Sequence, residues 1–236
     1  MSFPFAVVVF DLDGTLANTA MDLADALNHM LVRLSREPVP ASRVIEMVGR
    51  GMRNLVERGL GATGPATPEL IEQALPIFLE YYEPHIADKS RPYEGAEAAL
   101  DLLRERGAKL AICTNKPEGL SRKLLAAFGW TERFASVFGG DTLAVRKPDA
   151  APLREAIRQA GGGAAVLVGD SITDVRTAHA AGLPCLAVTW GFRDRPVEAL
   201  GAAALIERFD QLVPALEKLS AEWNRSADRS GRDRLA

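Results

Sequence analysis

Two aspartates separated by one residue follow a short apolar run near the start of the chain. Residues 5–9 read FAVVV and residues 10–16 read FDLDGTL, in which Asp11 and Asp13 are the acids. A β-branched run is typical of a buried strand, so both carboxylates are expected where that strand ends. Carboxylates held close together need a cation or a shared proton. The pattern favours a metal-dependent site in which one acid attacks and the other transfers protons, with a turn rich in Asp and Gly as the alternative.

Further polar residues follow later apolar runs or lie in loops between them. They are Thr114, Asn115 and Lys116 after one run, Lys147 in a loop, and Asp170, Ser171 and Asp174 after another. Taken singly, each has an ordinary structural explanation as a turn residue, a solvated lysine or an acid at a helix N-terminus. Their joint occurrence at one predicted sheet edge favours a functional site instead.

The elements that position these residues predict an α/β fold. Four apolar runs have the character of buried parallel strands, at residues 6–10, 109–113, 164–168 and 185–188. Amphipathic stretches that end near glycines predict helices at residues 95–106, 117–128, 151–160 and 173–181. This alternation predicts a Rossmann-like, doubly wound parallel sheet, on which ligands bind beyond the C-terminal strand ends.

One connection is too long for a simple crossover. Between residues 17 and 88 the chain reads as helices, at residues 22–35, 42–48, 54–60 and 68–86, the last interrupted by Pro76. We therefore predict an inserted helical cap at residues 17–89, hinged near Ala17-Asn18 and Arg91-Pro92. The core then comprises residues 1–16 and 90–225, and residues 226–236 form a polar, flexible tail.

Composition narrows the class of protein. The 236 residues are 47% hydrophobic and 25% charged, with a net charge of −3, so no basic field favours nucleic acid or an anionic membrane. We expect no membrane partner, because no apolar run approaches the length of a membrane span. Cys113 and Cys185 lie in apolar runs and are expected to be buried free thiols. The sequence starts its first strand almost at once, without a signal-peptide pattern, and a cytoplasmic location is expected.

The order of the motifs is similar to that of a known superfamily. DxDGT at residues 11–15, the hydroxyl of Thr114, the lysine Lys147 and GDxxxD at residues 169–174 resemble the four motifs of the haloacid dehalogenase-like hydrolases. The resemblance covers nearly the whole chain, because the helical insertion stands where that superfamily has its α-helical cap.

The resemblance implies phosphoryl transfer, in which catalysis is mostly positioning and electrostatic stabilisation. Asp11 would attack phosphorus and form an aspartyl-phosphate, while Asp13 would protonate the leaving group and then deprotonate water. Thr114 would donate to a phosphoryl oxygen, and Lys147 would offset negative charge. The residues that would contact the substrate around them are Gly14, Thr15 and Asn115.

A Mg²⁺ ion is also implied, since this hard cation prefers oxygen ligands. Asp11, Asp170 and the backbone carbonyl of Asp13 would hold it. Asp174 could reach the metal through water or orient Lys147 and Ser171, and we favour the orienting role. Asp174 and Ser171 are therefore expected to position the residues that bind the metal and not to coordinate the metal directly.

Finer features narrow the branch of the superfamily. Asp13 argues against a dehalogenase, because a halide leaving group needs no proton, and the absence of lysine from residues 17–88 argues against a phosphonate hydrolase with a cap lysine. Residues 10–28, 48–60 and 139–153 resemble bacterial phosphoglycolate phosphatases, with departures at Ala17-Asn18 and Arg50. The resemblance implies a Mg²⁺-dependent phosphatase acting on a small phosphorylated metabolite, with 2-phosphoglycolate favoured.

Several alternatives stay open at this stage. Another capped phosphomonoesterase or a β-phosphoglucomutase-like enzyme would share the acids, and a phospho-accepting receiver domain would share the sheet edge but lack Asp13 and a cap. Arg50, between Gly49 and Gly51, either binds the substrate carboxylate through its guanidinium or is an exposed loop arginine. The protein is expected to be a monomer or a homodimer.

Overall fold

The structure, a computed structural model, describes residues 3–192 and 195–232, with side chains described as far as Trp223. Its strands are β1 (Val7–Phe10), β2 (Ala17–Asn18), β3 (Arg91–Pro92), β4 (Lys109–Cys113), β5 (Ser136–Phe138), β6 (Ala165–Gly169), β7 (Cys185–Val188) and β8 (Ala204–Ile206). Within these ranges, six strands form one parallel sheet in the order β5-β4-β1-β6-β7-β8. The predicted α/β fold class is confirmed.

β1 lies at the centre of the sheet because its sequence suits burial on both faces. It pairs in parallel with β4 on one side and β6 on the other. Val8 and Phe10 pack in the larger hydrophobic cluster on one face, while Val7 and Val9 pack in the smaller cluster on the other. Apolar side chains on both faces are typical of a parallel strand covered by helices on each side.

The four strands predicted from apolar runs are present, with ends that differ by at most one residue. Strands β5 and β8 at the sheet edges were not predicted, because each has only three residues and neither forms an extended apolar run. The chain leaves β1 towards β4 and β5 and later returns towards β6, β7 and β8. The ends of β1, β4 and β6 thus lie where the strand order reverses, the usual place for a ligand on such a sheet.

The helices in the described ranges are α1 (Ala20–Arg33), α2 (Ala41–Ile45), α3 (Met52–Thr63), α4 (Pro68–Tyr82), α5 (Ala96–Glu105), α6 (Glu118–Ala127), α7 (Ala151–Gln159), α8 (Ile172–Ala181) and α9 (Leu212–Arg232). None of them has the combined length and apolar character that crossing a membrane requires. Both cysteines are buried free thiols, as predicted, and burial raises the pKa of Cys113 to about 12.

The first four of these helices, called here the cap helices α1–α4, fill the long connection after β1. Its two ends meet as the short antiparallel pair β2–β3, at the positions where hinges were predicted. Asp22 of α1 is buried, and its carboxylate accepts hydrogen bonds from the backbone nitrogens of Lys89 and Ser90 and from the Ser90 hydroxyl. These bonds tie the start of the cap helices to the strand that leads back into the core.

One prediction for this region was wrong. Pro76 does not interrupt the helix, since α4 runs without a break from Pro68 to Tyr82 and then ends. Proline removes one backbone hydrogen bond, but Ala74 and Phe78, on either side of it, are buried in the larger hydrophobic cluster, and this packing stabilises the helix.

The division of the chain into core, cap and tail stays a prediction. α9 extends to Arg232, while residues 233–236 of the predicted tail lie outside the described residues.

Candidate active site

Three neighbouring strands deliver polar residues to the same edge of the sheet. Asp11 follows β1, Thr114 follows β4 and Asp170 follows β6, and all three side chains are buried. The backbone continues the sheet for one residue beyond β1 and β4, since the Asp11 nitrogen donates to the Val168 carbonyl (2.9 Å) and the Thr114 nitrogen to the Phe138 carbonyl (2.9 Å). The side chains therefore start from rigid backbone rather than from a loop.

Lys147 lies between two carboxylates at this edge. Its Nζ atom is 3.1 Å from Asp11 Oδ1 and 2.6 Å from Asp174 Oδ1. Although burial acts to lower the pKa of Lys147, the two carboxylates raise it above its ordinary value and keep the ammonium charged. Burial also raises the pKa of Asp11 to about 6, against the opposing effects of Lys147 and of a hydrogen bond with the Thr114 side chain.

Asp174 is held by the start of helix α8. Its Oδ2 atom accepts hydrogen bonds from the Ser171 hydroxyl (2.7 Å) and the Ser171 nitrogen (3.1 Å). The Ser171 side chain in turn accepts from the Asp174 backbone nitrogen, which completes a capping box. Its other oxygen bonds Lys147, so the same carboxylate caps a helix and orients a lysine. Of the three explanations weighed from the sequence, a helix-terminal acid and an orienting acid describe contacts that Asp174 makes, while its contact with a metal through water stays a prediction.

Asp170 is fixed from two directions. Its Oδ1 atom accepts from the Thr15 hydroxyl (2.9 Å), and its Oδ2 atom accepts from the Phe192 nitrogen (2.6 Å). The Trp190 indole in turn donates to the Thr15 carbonyl (3.2 Å). Gly14, with φ of 83°, is needed here, because a Cβ atom would lie 2.5 Å from Asp170 Oδ2. Thr15, predicted to bind substrate, thus contacts Asp170, and its substrate-binding role stays a prediction.

The acids at this edge suit a hard cation. Single oxygens of Asp11, Asp170 and Asp174 all lie within 4.8 Å of one another, and the three groups are buried. Burial raises the pKa of Asp170 well above its ordinary value, and its acidic neighbours raise it further. Among the described residues, the Lys147 ammonium pairs with two of the three carboxylates, Asp11 and Asp174, so a divalent cation would relieve the remaining repulsion among them. The side chain of Asp13, predicted to contribute its backbone carbonyl, lies outside this group.

Asp13 faces a second lysine instead. The Nζ atom of Lys116 is 3.1 Å from Asp13 Oδ1 and 3.2 Å from Oδ2, and it donates to the hydroxyl of Tyr82 at the end of α4. The ammonium also lies 4.7 Å from the centroid of the Tyr82 ring. This contact joins the sheet edge to the cap helices.

A cavity opens between the sheet edge and the cap helices, with Asp11 and Asp13 in its lining. The other lining residues that the structure describes are Leu23, Val48, Gly49, Gly51, Met52, Leu55, Phe78, Tyr82, Thr114, Asn115, Lys116, Pro117 and Leu120. Asn115 bridges two segments, since its amide nitrogen donates to the carbonyls of Lys147 (3.2 Å) and Gly49 (3.5 Å). The two predicted acids, Thr114 and Asn115 therefore line one cavity that is mostly apolar on its cap side.

Arg50 is placed apart from this cavity. Gly49 and Gly51 both adopt positive φ, 103° and 87°, so the predicted turn exists. The Arg50 side chain is exposed and borders a neighbouring cavity whose lining includes Ser171 and Phe192. Its predicted contact with a substrate carboxylate stays a prediction.

Sequence reasoning missed several contributors to the site. Lys116 was noticed beside Thr114 and Asn115 but given no role, although its place at the end of a buried strand could have marked it. Tyr82, Trp190 and Phe192 give no sequence signal, because an aromatic residue in an amphipathic helix or after a strand is ordinarily a packing residue.

Comparisons with known proteins agree with this arrangement. Residues 8–188 match the model of the haloacid dehalogenase-like hydrolase family. Phosphoglycolate phosphatase of Mesorhizobium japonicum is 44% identical over 213 residues, which cover 89% of this chain and 94% of that protein. The enzyme of the same name from Rhodospirillum rubrum is 43% identical over 212 residues, covering 87% and 88%. A crystal structure from Haemophilus somnus, described as a predicted phosphoglycolate phosphatase, superposes with a TM-score of 0.84 at 28% identity, covering 89% of this chain and 97% of that one.

Proposed function

Because the chain belongs to the haloacid dehalogenase-like hydrolase family, we propose that it is a Mg²⁺-dependent phosphatase that hydrolyses 2-phosphoglycolate to glycolate and phosphate. The observation that carries the proposal is the pair of acids Asp11 and Asp13, which line one cavity but contact different lysines. The names of the relatives at 43–44% identity support the substrate.

Asp11 is the proposed nucleophile. One of its carboxylate oxygens attacks phosphorus, the bond from phosphorus to the glycolate oxygen breaks, and an aspartyl-phosphate forms. Lys147, held by Asp174, lies against the attacking carboxylate and offsets the charge of the phosphoryl group. The Thr114 hydroxyl donates to a phosphoryl oxygen.

Asp13 is the proposed acid and base. It gives its proton to the departing glycolate oxygen and later takes one from the water that attacks phosphorus, which releases phosphate and restores the Asp11 carboxylate. Asp13 is suited to this because its carboxylate borders the cavity, whereas Asp174 is completely buried behind Lys147. Closure of the cap helices over the substrate excludes other water until the leaving group departs.

The bound metal would supply positive charge that offsets the negative charge of the nucleophile and the phosphate. Asp11, Asp170 and the Asp13 carbonyl would hold it, and Thr15 and Phe192 would keep Asp170 in place. Oxygen donors of this kind suit Mg²⁺. A cytoplasmic location and a monomeric or homodimeric state are part of the same proposal.

A phosphate-release screen over small phosphorylated metabolites tests the proposal. With Mg²⁺, the wild-type protein should act on 2-phosphoglycolate better than on sugar phosphates, and removing the metal with EDTA should abolish the activity. Asp11→Asn should lose at least about a thousandfold in kcat, because the nucleophile is gone. Activity that survives in Asp11→Asn would refute the nucleophile, and a clear preference for sugar phosphates would refute the substrate.

A further inference from the structure

Lys116 is a buried lysine for which the chemistry above has no use. Its side chain is 3% exposed, and it follows Thr114 and Asn115 directly at the end of β4. In the proposed mechanism the phosphate charge is met by Lys147, which contacts Asp11. Taking a second ammonium out of water so close to the reaction is costly even when it is paired, as it is here with Asp13, and the chemistry above assigns this charge no role.

The surroundings of Lys116 indicate which part of a substrate it would meet. It contacts Asp13, the proposed proton donor to the leaving group, and therefore lies on the leaving-group side of the phosphorus atom. In 2-phosphoglycolate a single CH₂ separates the leaving oxygen from the carboxylate, so that carboxylate must lie close to Asp13. Of the described residues that line the cavity, Lys116 is the one with a cationic side chain.

The rest of that side of the cavity is apolar. Leu23, Leu55, Phe78 and Leu120 line it, and they cannot satisfy a carboxylate. The Tyr82 hydroxyl, which accepts a hydrogen bond from Lys116, is a further polar group within reach. Burial raises the pKa of Tyr82 to about 12, so its hydroxyl keeps its proton and can donate it to an incoming anion.

We propose that Lys116, assisted by the Tyr82 hydroxyl, binds the carboxylate of the substrate and thereby determines specificity for a short phosphorylated carboxylic acid. The inference rests on the proposed function and deepens it. In the absence of substrate the ammonium is paired with Asp13. On binding, the substrate carboxylate takes up part of that pairing, and Asp13 is left facing the leaving oxygen.

From the sequence, Arg50 was the residue favoured for binding the substrate carboxylate. The structure places Arg50 and Lys116 in different surroundings. Arg50 is exposed and borders a different cavity, next to Ser171 and Phe192. Lys116 lines the same cavity as Asp11 and Asp13. If Lys116 only balanced the charge of Asp13, replacing it would slow the hydrolysis of all phosphate esters equally. If Lys116 binds the substrate carboxylate, replacing it would slow only the esters that carry one.

The test compares 2-phosphoglycolate with ethyl phosphate, which has the same two-carbon chain without the carboxylate. The measured quantity is the ratio of kcat/KM for the two esters, in which any general damage to the site cancels. Lys116→Met should lower the ratio about 10- to 100-fold, the value of a charge-assisted hydrogen bond in a buried site. Lys116→Arg keeps the positive charge and should lower the ratio less than Lys116→Met does. Tyr82→Phe should lower the ratio about threefold to tenfold.

Lys218→Met is the matched control, because Lys218 is a surface lysine of α9 that is 79% exposed, and it should leave both activities unchanged. Arg50→Ala in the same assay should leave the ratio closer to wild type than Lys116→Met does. If Lys116→Met does not fold, as judged by its thermal unfolding, Tyr82→Phe and Lys116→Arg still decide the question.

An equal loss on both esters, with an unchanged ratio, would overturn the proposal and leave Lys116 as the counter-ion of Asp13. A large fall of the ratio in Arg50→Ala with none in Lys116→Met would overturn it in favour of Arg50. The wild-type ratio tests the proposed function separately, since a wild-type protein that does not prefer 2-phosphoglycolate contradicts the substrate before any variant is compared.

Discussion

Two lysines with aspartate partners stand at the same sheet edge, and their surroundings differ. Lys147 is enclosed by Asp11 and Asp174, and all of its partners belong to the sheet core. Lys116 pairs with Asp13 and reaches Tyr82, which belongs to the cap helix α4. The first pair is complete within the core, whereas the second is completed only where cap and core meet.

The comparison shows how one small region can separate chemistry from recognition. Asp11 is fixed by the end of β1, and Asp174 is fixed by the capping box at the start of α8. Neither contact involves the cap helices α1–α4. The groups around Lys116 include Tyr82 of α4, so a shift of the cap helices or the entry of a ligand would change them. We therefore expect damage at Lys147 to affect every substrate, and damage at Lys116 to depend on the substrate.

The largest effect is expected for Lys147→Met. The change leaves Asp11, Asp170 and Asp174 facing one another without an ammonium, and breaking a buried ion pair in this way costs about 3–5 kcal/mol of unfolding free energy. The kcat should fall at least about a thousandfold for 2-phosphoglycolate and ethyl phosphate alike. Steady-state kinetics on both esters and urea unfolding without metal check this. A loss confined to 2-phosphoglycolate would contradict the division between the two lysines.

A second prediction concerns the stability of the metal-free protein. Burial raises the pKa of Asp11 from 3.8 to about 6, so the folded state binds this proton more tightly than the unfolded state does. At a pH where Asp11 is ionised, its buried charge therefore lowers the free energy of unfolding. This destabilisation is complete above pH 6, declines as the pH falls towards 3.8, and disappears below it. Asp11→Asn, which resembles the protonated acid, should therefore raise the unfolding free energy by at most about 3 kcal/mol at pH 7.5, since Lys147 also loses one of its two carboxylate partners, and by less at pH 5.

Urea unfolding in EDTA at the two pH values measures the effect. Asp141→Asn provides the control, since Asp141 is an exposed acid outside the group of buried carboxylates, and its substitution should give no comparable gain. A loss of stability in Asp11→Asn at pH 7.5 would show that the pair with Lys147 outweighs the burial of the acid. The gain, if found, would identify Asp11 as a residue kept for chemistry at the expense of stability.

The sequence predicts one side of this comparison better than the other. Asp11 and Asp170 follow long apolar runs, whose pattern places both residues at strand ends without any knowledge of the fold. Lys147 gives no such local signal, and its place was expected because the order of the motifs resembles a known superfamily. Its pairing with Asp11 and Asp174 is then set by the strand order.

The contacts between cap and core could not be predicted in this way. Lys116 and Tyr82 are separated by 34 residues, so no local pattern relates them, and the same holds within the core for Thr15 and Trp190, which are 175 residues apart. Pro76 shows the same limit within one helix, because its breaking tendency is overcome by the burial of its neighbours. Arg50 was chosen for its type and its flanking glycines, and only the packing of the cap decides which cavity it borders.

The smallest effect is expected for a second contact between cap and core, the ion pair of Glu83 with Lys123. Glu83 follows Tyr82 at the end of α4, and both partners are about half exposed (47% and 52%), so the pair is worth at most about 1 kcal/mol. Glu83→Gln should raise KM for both esters by at most about fivefold and leave their ratio unchanged, because the pair stabilises the cap without touching substrate.

Kinetics at low and high salt check this prediction, since salt screens an exposed pair and should reproduce the effect of the mutation in the wild type. Glu222→Gln is the matched control, because its pair with Lys218 lies within α9 and should not alter KM. A changed ester ratio in Glu83→Gln would mean that the position of α4 itself sets specificity. Lys116 would then act through the placement of Tyr82 rather than through its own charge.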